Sequence, residues 1–217
     1  WQKCCAPTRR TKARKTMFSP SPMCLENPWT IKTVSTSWTR VKGSLQPPRY
    51  RRIRKLPFIP LEAEIDQLIA ACSRKISAFL QLLKETGIRS GEAWQLKWTD
   101  LDLANNTVRV TPEKGSEPRI LKISSKLTAM LNSLPKTSER IFGSSSLRSI
   151  RRCFQRQRER IAKKLENPRL LNITFHTIRH WKATMEYHKT KDILYVMKVL
   201  GHKRIQNTLI YTQLVNF

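Results

Sequence analysis

Along residues 60–217 the spacing of apolar side chains changes period twice, and this limits the folds open to the chain more tightly than any other feature. From Pro60 onward Leu61, Ile65, Leu68, Ile69 and Cys72 recur at three- and four-residue steps, the spacing of one helical face. Ile76, Phe79, Leu80 and Leu83 predict a second helix stopped at Gly87, and Ser90 is placed to cap a short third one running through Ala93 and Leu96. Between Thr99 and Ile123 the pattern shortens and alternates. Asn105-Asn106 is a turn signal, and Thr107–Val110 and Arg119–Ile123 read as strands of a small antiparallel sheet. Helical spacing returns from Ser125, over Ile150–Leu165, over Phe175–Tyr187, and in Ile193, Val196, Met197 and Leu200 up to a stop at Gly201. A last helix carrying Leu209, Ile210, Tyr211 and Leu214 is predicted, with Asn207 as its cap. A sheet this small, enclosed between helical stretches, predicts an α+β domain that is mainly α-helical, and no internal repeat suggests a solenoid.

Residues 1–58 differ in kind. They combine Pro, Ser and Thr with basic clusters such as Arg9-Arg10 and Arg51-Arg52-Ile53-Arg54-Lys55, without sustained periodicity, and read as a basic arm or linker ahead of a domain over 59–217. Trp29, Trp38 and Val41 are candidates for docking, too few for a core of their own. The chain opens at Trp1 rather than Met, so a fragment is expected.

Charge selects the partner. Lys and Arg number 42 against 15 Asp and Glu, a net charge of +27, which calls for a polyanion. The Arg-rich stretch Ile150–Leu165 reads either as a solvated face or as a direct contact to that polyanion. An apolar run of about 18 residues, a signal peptide and a lipidation signal are all lacking, so a soluble, intracellular, cytoplasmic protein with no membrane partner is expected. The five cysteines contain no Cys-x-x-Cys pair and read as free thiols rather than as a zinc or disulfide framework. His176 and His180 are spaced like a metalloprotease pair, but Thr177 stands where that motif needs its Glu, so no metal site is read there.

Four separated stretches carry chemistry: Thr86-Gly87-Ile88-Arg89-Ser90-Gly91-Glu92, Lys114 between the strands, His176-Thr177-Ile178-Arg179, and Leu200-Gly201-His202 with Tyr211 nine residues on. A phosphodiester repels nucleophiles, and attack on it adds charge to the nonbridging oxygens. Arg89 and Arg179 offer planar, always protonated forks for those oxygens. One helical turn separates His176 from Arg179, which puts both on one face. In order and in type these residues, with Leu-Pro-Phe-Ile-Pro at 56–60 as an entry, resemble the tyrosine recombinase (phage integrase) family over roughly residues 50–217.

The resemblance implies the fold of the DNA breaking-rejoining enzymes, a helical catalytic domain with a three-stranded antiparallel sheet. It implies Tyr211 as the nucleophile that becomes a 3′-phosphotyrosine, His176 assisting its deprotonation, and Lys114 protonating the departing 5′ oxygen, with Lys122 as the alternative in another register. It also implies His202 as a hydrogen-bond donor to the phosphate, and Glu92 as support for Arg89. His180 occupies a position where the family frequently has a His, but it reads as structural, as does His188. Double-stranded DNA is the implied partner, with self-association to a tetramer on it. No small-molecule substrate or cofactor is implied, in keeping with the lack of a Gly-x-x-x-x-Gly-Lys loop. The family's usual helical core-binding domain has no convincing copy here, and only Thr212–Phe217 follow the nucleophile. Alternatives are a DNA-binding integrase remnant without turnover, type IB topoisomerase-like relaxation, and an RNA-binding basic protein, for which an aromatic stacking motif is missing.

Overall fold

The computed structural model of the protein describes residues 39–41, 44–46, 56–113 and 116–214. The chain divides into two compact units, residues 1–52 and 53–217. In the first, strands β1 (Thr39–Val41) and β2 (Ser44–Gln46) pair antiparallel, Thr39 opposite Gln46. Trp29, Trp38 and most of the stretch read as an arm lie outside the described residues, as does Lys114.

The second unit is built on helix α2 (Arg74–Thr86), which buries Ile76, Ala78, Phe79, Leu80, Leu82 and Leu83. A helix buried on most of its circumference must be surrounded, and α1 (Glu62–Ala71), α4 (Ser125–Asn132) and α6 (Phe175–Thr190) pack against it. Full burial of a Leu or Phe side chain contributes about 1.5–3 kcal/mol, so this one helix supplies much of the cohesion. Phe79 is the hub of the aromatic core. Phe142 and Phe175 each meet its ring edge-on at 4.9 Å between centroids, and Phe154 stacks on Phe175.

Helix α2 ends where Gly87 takes a left-handed conformation, φ 64°, and a Cβ there would press on the Lys182 side chain. Helix α3 (Ser90–Gln95) begins three residues later. Its cap differs from the expected one: Arg89 is the capping residue, its amide bonded to the Glu92 carboxylate at 3.0 Å, while the Ser90 hydroxyl instead accepts from Arg151. A carboxylate one turn into a helix satisfies a free N–H and opposes the positive end of the dipole, which a Ser at the first helical position is not placed to do.

The sheet has the order β3-β4-β5, all antiparallel: β3 (Leu101–Asp102), β4 (Thr107–Val110) and β5 (Arg119–Lys122). Asp102 caps the turn by accepting from the amides of Ala104 and Asn105, and Asn106 takes the left-handed position, φ 49°. Val108 and Val110 point into the core, and Val108 faces Leu121 across the ladder.

Helix α5 (Leu147–Lys164) is held by the buried side chains Ile150, Phe154, Ile161 and Ala162, and the rest of it is largely basic. Helix α6 is followed by α7 (Ile193–Leu200), which ends at Gly201, φ 66°. Beyond it the expected α-helix is absent. Residues Ile205–Asn207 and Leu209–Leu214 form two 3-10 turns, with the Thr208 amide on the Ile205 carbonyl and the Tyr211 amide on the Thr208 carbonyl. Asn207 therefore belongs to the first turn and caps nothing. Such short 3-10 runs are common as connectors and at chain ends, and here the tighter winding accompanies burial of Thr208 and Tyr211. The ring of Tyr211 packs with Ala183, Val196 and Leu200 in a small cluster of its own. Among the described residues no helix is long and apolar enough to cross a membrane.

Candidate active site

The ends of α2, α6 and α7 meet at one guanidinium. Arg179 is 2% exposed and donates from Nη1 to the Gly87 carbonyl at 2.7 Å and from Nη2 to the Leu200 carbonyl at 2.8 Å. Carbonyls at helix C-termini lack intrahelical partners, so two loose ends are tied by one cation. Two of its five N–H groups are used in this way. Burial, then the charge of Arg89, lowers its pKa to about 10, which leaves it protonated at neutral pH.

Arg89 approaches from the α2–α3 junction, its side chain 27% exposed, with Nη1 3.3 Å from Glu92. The Glu92 carboxylate is fully buried and also receives Arg119 Nη2 at 2.8 Å. Burial by itself would raise the pKa of Glu92. Hydrogen bonds from Arg119 and the Arg89 amide, with the positive charge of Arg119, outweigh that effect and hold it down to about 2. Arg119 in turn bonds Ser116 Oγ at 3.1 Å, and Ser116 donates to the Gly201 carbonyl at 3.2 Å. A Cβ at Gly201 would collide with the Arg119 guanidinium, so glycine is needed there for space as well as for its positive φ. Through this chain of bonds the hairpin, the first arginine and the loop after α7 are fixed to one another.

Arg89, His176 and Arg179 line a single cavity of about 330 Å³, together with Gly91, Glu113 and Arg151. A second cavity of about 420 Å³ adjoins it, sharing Ser90, Arg151, Phe175 and His176. Burial, then Arg179 and Arg89, lowers the pKa of His176. His202 is buried beside the loop, its Nδ1 2.9 Å from the Thr208 hydroxyl. Burial and three arginines push its pKa down to about 3, so it is neutral at physiological pH. Tyr211 is 2% exposed, and its hydroxyl lies 3.0 Å from His180 Nδ1. Burial raises its pKa against the opposing pull of Arg179 and Arg89.

Of the six residues singled out from sequence, three line one cavity, and His202 and Tyr211 are tied to its wall through Leu200-Gly201 and through His180. Lys114 lies outside the described residues, although its neighbour Glu113 borders the cavity. Sequence reasoning missed Arg119, Ser116 and Thr208, and no local pattern marks them. It took His180 for structural, although its position one turn from His176 was a usable signal.

A mainly helical domain edged by a three-stranded antiparallel sheet, with two arginines and a histidine around one cavity, has the fold of the tyrosine recombinase catalytic domains. The model of the phage integrase family matches residues 61–216, and the chain belongs to that family. The tyrosine recombinase XerA of Saccharolobus solfataricus is 30% identical over 182 residues, covering 82% of this chain and 59% of that protein. The catalytic domain of bacteriophage HP1 integrase superposes with a TM-score of 0.56 at 26% identity, over 73% of this chain and 88% of that one. The XerH recombinase bound to difH substrate in a pre-cleavage complex superposes with a TM-score of 0.57 at 25% identity, over 73% and 51%. The chain spans about three fifths of the length of the curated relatives it matches.

Proposed function

We propose that this chain cuts and rejoins strands of double-stranded DNA at specific sites, with Tyr211 as the nucleophile. The observation that carries this reading is the convergence of Arg89, Arg179 and His176 on one cavity beside a buried tyrosine, within the fold of a family whose member XerH is seen bound to its difH substrate. The scissile phosphate enters the cavity and meets the guanidinium groups of Arg89 and Arg179. As Tyr211 attacks, these groups and a ring N–H of His202 stabilise the growing charge on the nonbridging oxygens. Removing one such donor from a charge-stabilising site costs about 10²–10³-fold in rate. The bond from phosphorus to the 5′ oxygen breaks, and Lys114 supplies a proton to that oxygen, because release of a free alkoxide is costly. The 3′-phosphotyrosine keeps the energy of the broken bond, so a 5′ hydroxyl, from the same strand or a partner strand, reverses the step without a nucleotide cofactor. Full strand exchange requires several protomers on DNA, and self-association there is part of the proposal. Because two fixed guanidinium groups neutralise the phosphate, cleavage is expected to be independent of metal ions.

A nicked suicide substrate that loses its 5′ product traps the intermediate, which a denaturing gel then resolves. The chain is expected to form a covalent protein–DNA adduct in EDTA as readily as in Mg²⁺. Tyr211→Phe is expected to abolish it, and Arg89→Ala or Arg179→Ala to suppress it with DNA binding partly retained. An adduct that persists in Tyr211→Phe refutes the reading, and an adduct that needs Mg²⁺ refutes its metal-free form. Relaxation of supercoiled DNA without strand exchange would instead favour topoisomerase-like action.

A further inference from the structure

The hydroxyl of Tyr211 is met not by His176 but by His180. Among the described residues His180 Nδ1, at 3.0 Å, is the one group within hydrogen-bonding distance of that oxygen. His180 follows Arg179 directly on α6, and its ring stands edge-on to that of His176, centroids 4.4 Å apart. The Tyr211 ring lies 5.8 Å from it, held in the cluster of Ala183, Val196 and Leu200. His176, by contrast, lines the cavity that Arg89 and Arg179 share. The two histidines of one helix thus face two different objects, the phosphate cavity and the phenol.

We propose, building on the cleavage reading above, that His180 is the catalytic group that takes the proton of Tyr211, leaving His176 to bind the phosphate. The contact is the one proton transfer requires: His180 is kept neutral first by burial and then by the nearby His176 and Arg179, and in the tautomer protonated on Nε2 its Nδ1 accepts from the Tyr211 hydroxyl at 3.0 Å. In the forward step the O–H bond of Tyr211 breaks and its proton passes to His180 Nδ1, while the phenolic oxygen bonds to phosphorus. The bond from phosphorus to the 5′ oxygen breaks, and its electron pair leaves on that oxygen with the proton from Lys114. In the reverse step the imidazolium returns its proton to the departing phenolate.

A base that acts only by removing a proton becomes dispensable when the nucleophile ionises unaided. The test is single-turnover cleavage of the suicide substrate by the full chain with either tyrosine or a ring-fluorinated tyrosine of near-neutral pKa at position 211. His180→Asn, which keeps a polar group near the hydroxyl but cannot accept a proton, is expected to slow cleavage roughly 10²–10⁴-fold with DNA binding retained. Fluorination is expected to restore about tenfold or more in that background, and to restore little in His176→Asn. His180→Gln serves as a second variant should the first melt at assay temperature. Cleavage by His180→Asn within about threefold of the parent, rescue of His176→Asn in its place, or a defect that fluorination leaves unrepaired would each overturn the assignment. The parent chain separates the two claims. Failure of the parent to form any adduct removes the cleavage reading and this one with it, whereas a reactive parent alongside unaffected His180 variants removes this one alone.

Discussion

Glu92 makes no contact with the cavity, yet both arginines that organise its rim end on its two oxygens. Arg89 lies 3.3 Å from Oε1 and Arg119 lies 2.8 Å from Oε2, all within a carboxylate that solvent does not reach. Removing one partner of a buried ion pair leaves the other desolvated and unpaired, at a cost of roughly 3–5 kcal/mol. Glu92→Gln preserves shape and removes only charge. It is expected to lower unfolding free energy in urea by about that amount, and to slow cleavage because Arg89 loses the anchor that aims it. Equal urea midpoints in the two proteins would show that the pair does not hold the site. Arg89 and Arg179 were legible in the sequence because each sits in a short local motif. Arg119 was not, because its partner is 27 residues away and a lone arginine at the start of a strand looks like any surface cation. The contact of His180 with Tyr211 was not legible for a related reason: the sequence shows that His180 neighbours Arg179, and only the packing of the C-terminal turns against α6 brings Tyr211 to it.

Helix α5 separates the two uses of arginine at the level of an element. Its buried stripe is narrow, and Arg148, Arg151, Arg152, Arg156 and Arg160 face solvent. Arg151 borders both cavities and bonds Ser90 Oγ at 3.1 Å, and under the proposed cleavage reading it would hold the DNA backbone beside the scissile phosphate. Arg158 has a different task. It donates to the Ile173 carbonyl just before α6 and lies against the Phe154 ring, and burial lowers its pKa. Arg151→Ala is therefore expected to weaken DNA binding at every sequence and to reduce the slope of log K against log salt by about 1, with the melting temperature unchanged. Arg158→Ala is expected to lower the melting temperature by releasing the start of α6. An identical salt slope in Arg151→Ala would remove Arg151 from the interface. The helices were legible because their apolar residues recur at three- and four-residue steps, and the two longer strands because their flanking turns and short alternation mark them. Strand β3 escaped notice since two residues cannot display alternation. The C-terminal turns imitated a helix because Leu209, Ile210 and Leu214 fit one helical face, while the 3-10 winding accompanies the burial of Thr208 that only the tertiary packing of the loop imposes.

Across the whole molecule, the site concentrates groups whose protonation differs between folded and unfolded chains, and this sets how stability responds to acid. In the unfolded chain His180 and His202 titrate near their ordinary 6.5, whereas burial, joined by the charges around them, holds them unprotonated down to about 4 and about 3 in the fold. Between those values and pH 6.5 the unfolded chain binds more protons, so lowering the pH draws the equilibrium toward unfolding. Glu92 extends the same trend further down. Its folded pKa of about 2 lies below its ordinary 4.5, so the stability it contributes is complete above 4.5 and lost as the pH falls toward 2. Both effects have one sign, and they act in consecutive windows. Urea midpoints measured from pH 7 downward are expected to decline already between pH 6.5 and 5, where the carboxylates stay ionised and only buried histidines account for proton uptake, and to decline further below 4.5. His202→Asn removes one of the two histidines and is expected to flatten the upper window while leaving the lower one in place, whereas Glu92→Gln does the reverse. A midpoint that holds constant from pH 7 to 5 would mean that the histidines are solvated in the fold, and would withdraw the buried, neutral imidazole on which proton acceptance from Tyr211 depends.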